Sequence, residues 1–426
     1  CLVGSAMCIR DRYQPRPLEH FEMLYKILIV LSIIVSFTRL LVFDIPISNG
    51  IYYGFWGLVA LITMLLGFCL NFPAFIMVFV SFLSVELNNI APIFQPEFRL
   101  ISFCLMLCAI GPMNNSLFAV RYRYSLFKYL SFSIIFLSCL SFPLWFTGIK
   151  MFFHSNYLYK GLFNHSMMLG PMAGISVIIC LQKVLTNKST NRMNKIIWIV
   201  ILIFSAFSAL LSGSRGAILS LLSGIFVMLF LVYRNNVRRV FKIITITVAV
   251  IGISFPVWYP YTENVRMKQE ANLKAGGSFQ SRETLWRDRI AEFKENPMLG
   301  SGFASINKEV IKAKDKINAN GGIEPGSSWL FILSSVGLLG MLAFSTVFFV
   351  SIAKGLRQEY TPDSVFITIV SVLSFYSVHM MAEGYIFASG SFLFLYLWLS
   401  ISLISPSAFQ NLDVHNKSLF DSNRSL

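Results

Sequence analysis

The stretch IFSAFSALLSGSRGAILSLLSGIF, residues 203–226, places one guanidinium, that of Arg215, between two apolar runs. Both runs continue outward until each is about 18 or more residues long, enough to cross the hydrocarbon core of a bilayer. A charged side chain at the end of such a span is costly unless water or an anion meets it. The stretch therefore predicts two membrane-spanning helices joined by a short turn, in which Arg215 either reaches the lipid interface or binds an anionic ligand.

Apolar runs of this kind recur along nearly the whole chain. Of its 426 residues, 56% are hydrophobic and 13% are charged, far less charge than a soluble protein of this length carries. We therefore predict an all-α polytopic membrane protein with about twelve transmembrane helices. The predicted spans are 22–43, 51–70, 73–94, 99–119, 127–148, 165–186, 195–212, 215–233, 240–258, 328–352, 363–382 and 384–404.

The basic residues predict the orientation. They concentrate in alternate short loops, which the positive-inside rule assigns to the cytoplasm together with both termini. This bias explains most of the net charge of +15, so the charge does not predict a nucleic-acid partner. The predicted domains are a cytoplasmic N-terminus (1–21, of which 1–13 resemble translated sequencing adapter), spans one to nine (22–258), a partly helical extracytoplasmic cap (259–327), spans ten to twelve (328–405) and a cytoplasmic tail (406–426).

The seven cysteines form no C-x-x-C pair and no cluster with histidine. Neither a disulfide framework nor a zinc site is therefore indicated. The sequence predicts no metal site and no cofactor.

The turn at Arg215 has the composition of an anion site. Small residues let a ligand approach the backbone closely, and Ser214 is a natural N-cap for the helix that follows. The N–H groups at that helix start, its positive dipole end and the guanidinium would together bind an anion, with Ser214 and Gly216 beside it. The turn alone is equally compatible with an arginine that only reaches lipid headgroups.

The cap contains a second arginine on a predicted helix. In SRETLWRDRIAEFKENPMLGSGF, residues 281–303, Arg282 and Trp286 are four residues apart and share one helix face. The segment NPMLGSGF is expected to end this helix and turn the chain back toward the membrane. The alternative is a solvated amphipathic helix, which suits the charged residues Glu283, Arg287, Asp288 and Arg289.

Two histidines are predicted near the outer ends of spans. His165 follows Asn164 where a polar ligand could reach both, although an interfacial histidine is more often a structural hydrogen-bonding group. His379 and Glu383 are four residues apart near the end of the eleventh span. An ionisable pair at membrane depth is a candidate functional site, and mutual hydrogen bonding would explain it equally well.

Several segments together resemble the O-antigen ligase/Wzy polymerase superfamily. They are, in chain order, GLFNHSMMLGP (161–171), LSGSRGA (211–217), the cap segment 281–303, WLFILSSVGLLG (329–340) and VHMMAEGYIF (378–387). The resemblance covers about residues 95–405 and implies a multi-pass glycosyltransferase of the bacterial inner membrane, similar to inverting, metal-independent C-type enzymes. Its active site would face the periplasm or exterior and transfer a glycan from undecaprenyl pyrophosphate to an acceptor. The resemblance implies that Arg215 and Arg282 bind the donor pyrophosphate.

One departure from the superfamily pattern concerns the acceptor. The ligase branch, which transfers O-antigen to lipid A–core, typically has a His-Asn pair where this chain has Ser327-Ser328. We therefore favour the polymerase branch, in which the acceptor is another lipid-linked repeat unit. The general base stays open between Glu324, His165 and the His379–Glu383 pair, and a good leaving group would need little base catalysis. The predicted substrate-binding residues are Ser214, Gly216, Asn164, Trp286, Ser327 and Ser328.

Two functions other than a polymerase are also considered for this sequence. One is the ligase, with lipid A–core or a protein as acceptor. The other is a transporter or flippase for the same lipid-linked sugars, which would be expected to show broken helices and internal repeats; neither is visible in the sequence. The expected partners are the lipid-linked glycan donor, the glycan acceptor, membrane lipids and a chain-length regulator, with no nucleic acid.

Overall fold

The computed structural model describes residues 19–43, 45–155, 158–186, 192–274, 280–307, 321–358, 360–362 and 364–404. Within these ranges the regular secondary structure is helical apart from one short antiparallel pair of strands, so the predicted all-α class is confirmed. The predicted tail 406–426 and most of the predicted N-terminal segment lie outside the described residues. So do 275–279 and 308–320 of the predicted cap.

Fifteen α-helices are found in the described residues. They are α1 (Glu19–Phe37), α2 (Asn49–Leu65), α3 (Phe72–Glu86), α4 (Pro96–Ala109), α5 (Leu117–Trp145), α6 (Ser166–Thr186), α7 (Arg192–Leu211), α8 (Arg215–Val232), α9 (Val237–Ile253), α10 (Phe255–Trp258), α11 (Glu263–Lys274), α12 (Gln280–Glu295), α13 (Ser328–Arg357), α14 (Val365–His379) and α15 (Phe392–Ile404). The two strands are β1 (Phe153–Ser155) and β2 (Leu158–Tyr159). Three short 3₁₀ segments precede α4, β1 and α11.

Six helices of the described chain are long and apolar enough to cross a membrane. They are α4 with the 3₁₀ turn before it, α5, α6, α7, α8 and α13. Four predicted spans coincide with the shorter apolar helices α2, α3, α14 and α15, and the other two with α1 and α9. The predicted cap contains α11 and α12, as its partly helical composition indicates.

Several predicted span boundaries are wrong. The span predicted at 127–148 begins already at Leu117, and the span predicted at 73–94 ends at Glu86. Two other boundaries have a clear physical cause. The span predicted at 99–119 ends at Ala109, because the following polar segment is held by the buried side chain of Asn114. Its amide donates to the carbonyl of Gly67 (3.0 Å), and its oxygen accepts from the backbone N–H of Cys69 (3.0 Å). The span predicted at 384–404 begins only at Phe392, because backbone groups before it bond to side chains: the N–H of Tyr385 donates to the hydroxyl of Ser328 (3.1 Å), and the carbonyl of Ile386 accepts from Trp398 (3.3 Å).

Helix α13 is interrupted at Gly337, where φ is +70° and ψ is −166°. The carbonyl of Ser334 accepts from the N–H of Ser301 (2.8 Å), and the N–H of Leu338 donates to the carbonyl of Pro297 (2.8 Å). The segment that follows α12 thus satisfies the backbone groups that the break exposes, as irregular backbone at membrane depth requires. A broken helix, which is not visible in the sequence, is therefore present, and the segment after α12 is bonded to the chain on both sides of the break.

Replacing Gly337 by alanine is expected to destabilise the protein. A Cβ there would lie 2.3 Å from the carbonyl oxygen of Met298, and the positive φ alone costs a side-chain-bearing residue about 1–3 kcal/mol. Thermal unfolding of the purified protein in detergent measures the effect. Gly252→Ala in α9 is the matched control, because a Cβ there meets nothing within 4 Å and alanine favours helix. Equal unfolding temperatures for the two variants would contradict the strain at Gly337.

Candidate functional site

The start of α13 is bonded to the segment between α14 and α15. The N–H of Ser328 donates to the carbonyls of Met380 (2.8 Å) and Glu383 (2.9 Å), and its hydroxyl donates to the carbonyl of Glu383 (2.7 Å). The hydroxyl of Ser327 donates to the carbonyl of Met380 (3.1 Å) and also caps α13. Both serines are buried. Ser327 and Ser328, predicted to bind substrate, therefore have a structural use in holding residues 380–383.

Arg282 joins three segments of the chain. One Nη donates to Glu324 (3.1 Å) on the segment before α13, and the other donates to Glu383 (2.8 Å) on the segment after α14. On the same face of α12, Trp286 Nε1 donates to the carbonyl of Gly326 (3.2 Å). The predicted shared face of Arg282 and Trp286 is thus found, and it packs on the segment 321–327.

The turn at Arg215 lies against the same residues. Helix α8 begins at Arg215, and Ser214 caps it by accepting from the N–H of Ala217 (3.3 Å), as predicted. A Cβ added to Gly216 would lie 3.6 Å from that of Ala382, the neighbour of Glu383. The Arg215 side chain is half-buried. The structure therefore brings the segments that carry Arg215 and Arg282 together at residues 382–383.

The start of α6 packs beside this turn. A Cβ on Gly170 would lie 2.8 Å from the Cβ of Ser214, so the two backbones approach closely. His165 Nδ1 accepts from the N–H of Met167 (3.1 Å) and so caps α6. The side chain of Asn164 donates to the carbonyl of Arg39 (2.9 Å), at the end of α1. Both side chains therefore make contacts that fix the entry into α6.

His379 and Glu383 have separate partners. His379 is buried, and its Nδ1 shares a hydrogen bond with the hydroxyl of Tyr385 (3.0 Å). Its ring stacks on that of Phe375 with 5.4 Å between ring centroids. Glu383 instead turns its carboxylate to Arg282. His379 and Glu383, although four residues apart, therefore have different local roles.

Comparison with known families adds to this geometry. Residues 200–345 match the family model described as O-antigen ligase. This region carries the O-antigen ligase family domain. The match runs from within α7 into α13 and so includes Arg215, Arg282 and Glu324, whereas Glu383 lies beyond it. No curated protein matches the chain.

The family match confirms the resemblance to the O-antigen ligase/Wzy superfamily. It supports a glycosyltransferase-like role in the assembly of O-antigen or a related polysaccharide, acting on lipid-linked glycans in a membrane. The apolar helices agree with a multi-pass membrane protein. The match does not distinguish a polymerase from a ligase.

A buried ion pair in the O-antigen ligase family domain was not predicted from the sequence. Arg289 and Glu292 are 2% and 0% exposed, and Arg289 Nη1 lies 2.8 Å from Glu292 Oε2. Glu292 Oε1 accepts from the N–H of Asn307 (2.8 Å), and burial raises the pKa of Glu292 above its ordinary value, an effect that the charge of Arg289 opposes. The solvated alternative for α12 is therefore wrong at Arg289. Arg289 follows Arg282 by seven residues, which places both side chains on the face of α12 that packs against α13. This spacing was the feature of the sequence that could have predicted the burial of Arg289.

Arg99 is a second residue whose role the sequence did not show. It lies in the first turn of α4 and donates to the carbonyls of Gly321 (2.6 Å) and Ala304. These carbonyls belong to the two ends of the cap segment that returns to α13. Arg99 thus ties the returning part of the cap to the membrane helices.

Proposed function

We propose that the protein polymerises undecaprenyl-pyrophosphate-linked repeat units into O-antigen, capsule or exopolysaccharide at the outer face of the inner membrane. The supporting observation is the meeting of the Arg215 turn and the Arg282 helix face at residues 382–383. Two arginines carried by segments that meet there suit a diphosphate, whose oxygens guanidinium groups bind in a bidentate manner. The start of α8 adds its backbone N–H groups and positive dipole end.

The chemistry of transfer explains why fixed cations are needed. The acceptor hydroxyl attacks the anomeric carbon of the donor glycan, and the bond between that carbon and the diphosphate oxygen breaks. The electron pair stays on the departing undecaprenyl pyrophosphate, which therefore gains negative charge in the transition state. Donors that are already in place stabilise this charge without reorganisation, and each is worth roughly 3–4 kcal/mol. We propose that Arg215 and Arg282 fill this role in an inverting, metal-independent transfer.

The start of α13 favours a polymerase over a ligase. The ligase branch of the superfamily typically has a His-Asn pair at this position, whereas this chain has Ser327 and Ser328. Both serine hydroxyls hold the segment 380–383 by hydrogen bonds to its carbonyls. These two positions therefore provide no histidine that could act as a base on a lipid A–core acceptor. The acceptor proposed instead is a second lipid-linked repeat.

Deletion of the gene and complementation with the full chain test this proposal. Loss of a polymerase is expected to remove long polysaccharide while leaving single repeats attached to lipid A–core, or on the carrier lipid where the product is capsule. The two products are separated by gel electrophoresis of the lipopolysaccharide and by extraction of the carrier lipid. Finished long polymer that accumulates on undecaprenyl pyrophosphate in the deletion strain would show a ligase and contradict the polymerase.

A further inference from the structure

We propose that Glu324 is the general base of the transfer, and that Arg282 holds it until the donor diphosphate takes its place. This inference rests on the proposed function, since it concerns the same diphosphate. It assigns to one carboxylate the proton transfer that the sequence leaves open between several residues. Its starting point is the pairing of one guanidinium with two carboxylates.

The charges around Arg282 require that a carboxylate leaves when the donor binds. In the structure Glu324 and Glu383 already place two negative charges against one positive charge. A diphosphate at the same guanidinium would add more negative charge to this cluster. Like charges at such distances repel each other strongly in a partly buried site. Binding of the diphosphate and pairing of both carboxylates with Arg282 therefore compete.

Glu324 is the carboxylate that is free to leave. Its side chain is 67% exposed, whereas that of Glu383 is 23% exposed. The backbone of Glu383 is fixed by hydrogen bonds from Ser328. Glu324 instead lies on a short segment between Gly321 and Gly326, which both have positive φ. An exposed ion pair contributes little, and a bidentate guanidinium–phosphate contact outcompetes it.

The displaced carboxylate would act on the far side of the reacting carbon. The anomeric carbon is bonded to an oxygen of the diphosphate at Arg282, and inversion requires the acceptor hydroxyl to approach from the opposite face. The exposed side chain of Glu324 would have to swing from Arg282 to that hydroxyl. The acceptor O–H bond breaks as its oxygen bonds to the anomeric carbon, and the proton passes to the Glu324 carboxylate. The bond from that carbon to the diphosphate breaks, and its electron pair leaves with undecaprenyl pyrophosphate. After that product leaves, the exposed Glu324 gives its proton to solvent water and pairs with Arg282 again.

The other candidate bases are less suitable in this geometry. His165 Nδ1 accepts a backbone N–H as the cap of α6. His379 is 1% exposed and bonded to Tyr385, so an acceptor hydroxyl does not reach it. Glu383 stays with Arg282 and positions it. A base must come within hydrogen-bonding distance of the proton it removes, and Glu324 is the candidate whose side chain is open to an incoming sugar.

The test separates binding from transfer with Glu324→Gln in the full-length protein in lipid nanodiscs. Without the competing negative charge, the variant is expected to bind undecaprenyl pyrophosphate roughly two- to five-fold more tightly, the size of one exposed ion pair. Its transfer rate at saturating lipid-linked donor is expected to fall by about 10²-fold or more, as for loss of a general base. Glu324→Asp keeps a carboxylate and is expected to recover part of the rate. Glu283→Gln on α12 is the matched control, because the exposed Glu283 pairs with the exposed Arg287 (3.0 Å), and both measurements should stay at wild-type values.

The outcomes distinguish this inference from the proposed function. Wild-type transfer by Glu324→Gln, together with an inactive Arg282→Ala, would overturn the base and leave the diphosphate site standing. Weaker binding of undecaprenyl pyrophosphate by Glu324→Gln would also overturn the inference, because it would mean that Glu324 only positions Arg282. Wild-type transfer by Arg282→Ala would instead reject the proposed function itself. Tighter binding combined with slow transfer supports the inference.

Discussion

Cells whose only copy of the protein carries Arg282→Ala or Arg215→Ala are expected to make no polymer longer than a single repeat. Each substitution removes one fixed cation from the departing diphosphate, a loss of roughly 3–4 kcal/mol or 10²–10³ in rate. The start of α8 and the one remaining guanidinium are not expected to offset this loss. Gel electrophoresis of the polysaccharide measures the chain length, and immunoblotting of membranes shows that the variants are present at normal abundance.

Two further variants show that the effect belongs to the guanidinium and its place. Lysine at either position is expected to be a poor substitute, because an ammonium supplies charge without the planar fork that matches phosphate oxygens. Arg287→Ala is the control on α12, because the Arg287 side chain is 74% exposed and pairs with Glu283, and it should leave chain length unchanged. Polymer of normal length from Arg215→Ala at normal abundance would favour an arginine that only reaches lipid headgroups.

The sequence could predict the parts of the site that depend on local signals. The change from apolar run to turn placed the start of α8 at Arg215, and a serine before a helix start identified Ser214 as its cap. The spacing of four residues correctly placed Arg282 and Trp286 on one face of α12. These features need only a few consecutive residues, so no knowledge of the tertiary structure is required to see them.

The partners of these residues could not be predicted, because they depend on contacts between distant parts of the chain. Arg282 and Glu383 are 101 residues apart in sequence. The segment after α14 looked like the beginning of a span, since its polar groups are few and its backbone bonds to Ser328 leave no mark in the sequence. The break at Gly337 is likewise stable only because Ser301 and Pro297 supply the missing hydrogen bonds. Glycine is common in membrane helices, so its presence alone does not predict a break.

Glu292→Ala is expected to destabilise the cap more than any surface substitution on the same helix. It would leave the guanidinium of Arg289, which is 2% exposed, without its countercharge. Removing one partner of a buried ion pair typically costs about 3–5 kcal/mol. The loss should appear as a lower unfolding temperature in detergent and as faster proteolysis of the cap. Because Arg282 lies on the same face of α12, polymer should also become shorter.

Replacing both members of the pair separates a structural ion pair from a catalytic one. Arg289→Met combined with Glu292→Gln removes both charges and keeps an oxygen that can accept from the N–H of Asn307. This double variant is expected to unfold at close to the wild-type temperature, because a buried ion pair contributes little net stability over uncharged groups of similar volume. It should also restore chain length if the pair acts only by fixing α12. Glu295→Ala, three residues along and exposed, is the single-site control and should change neither measurement. A Glu292→Ala variant as stable as Glu295→Ala would mean that Arg289 is solvated and that the pair does not hold the cap in place.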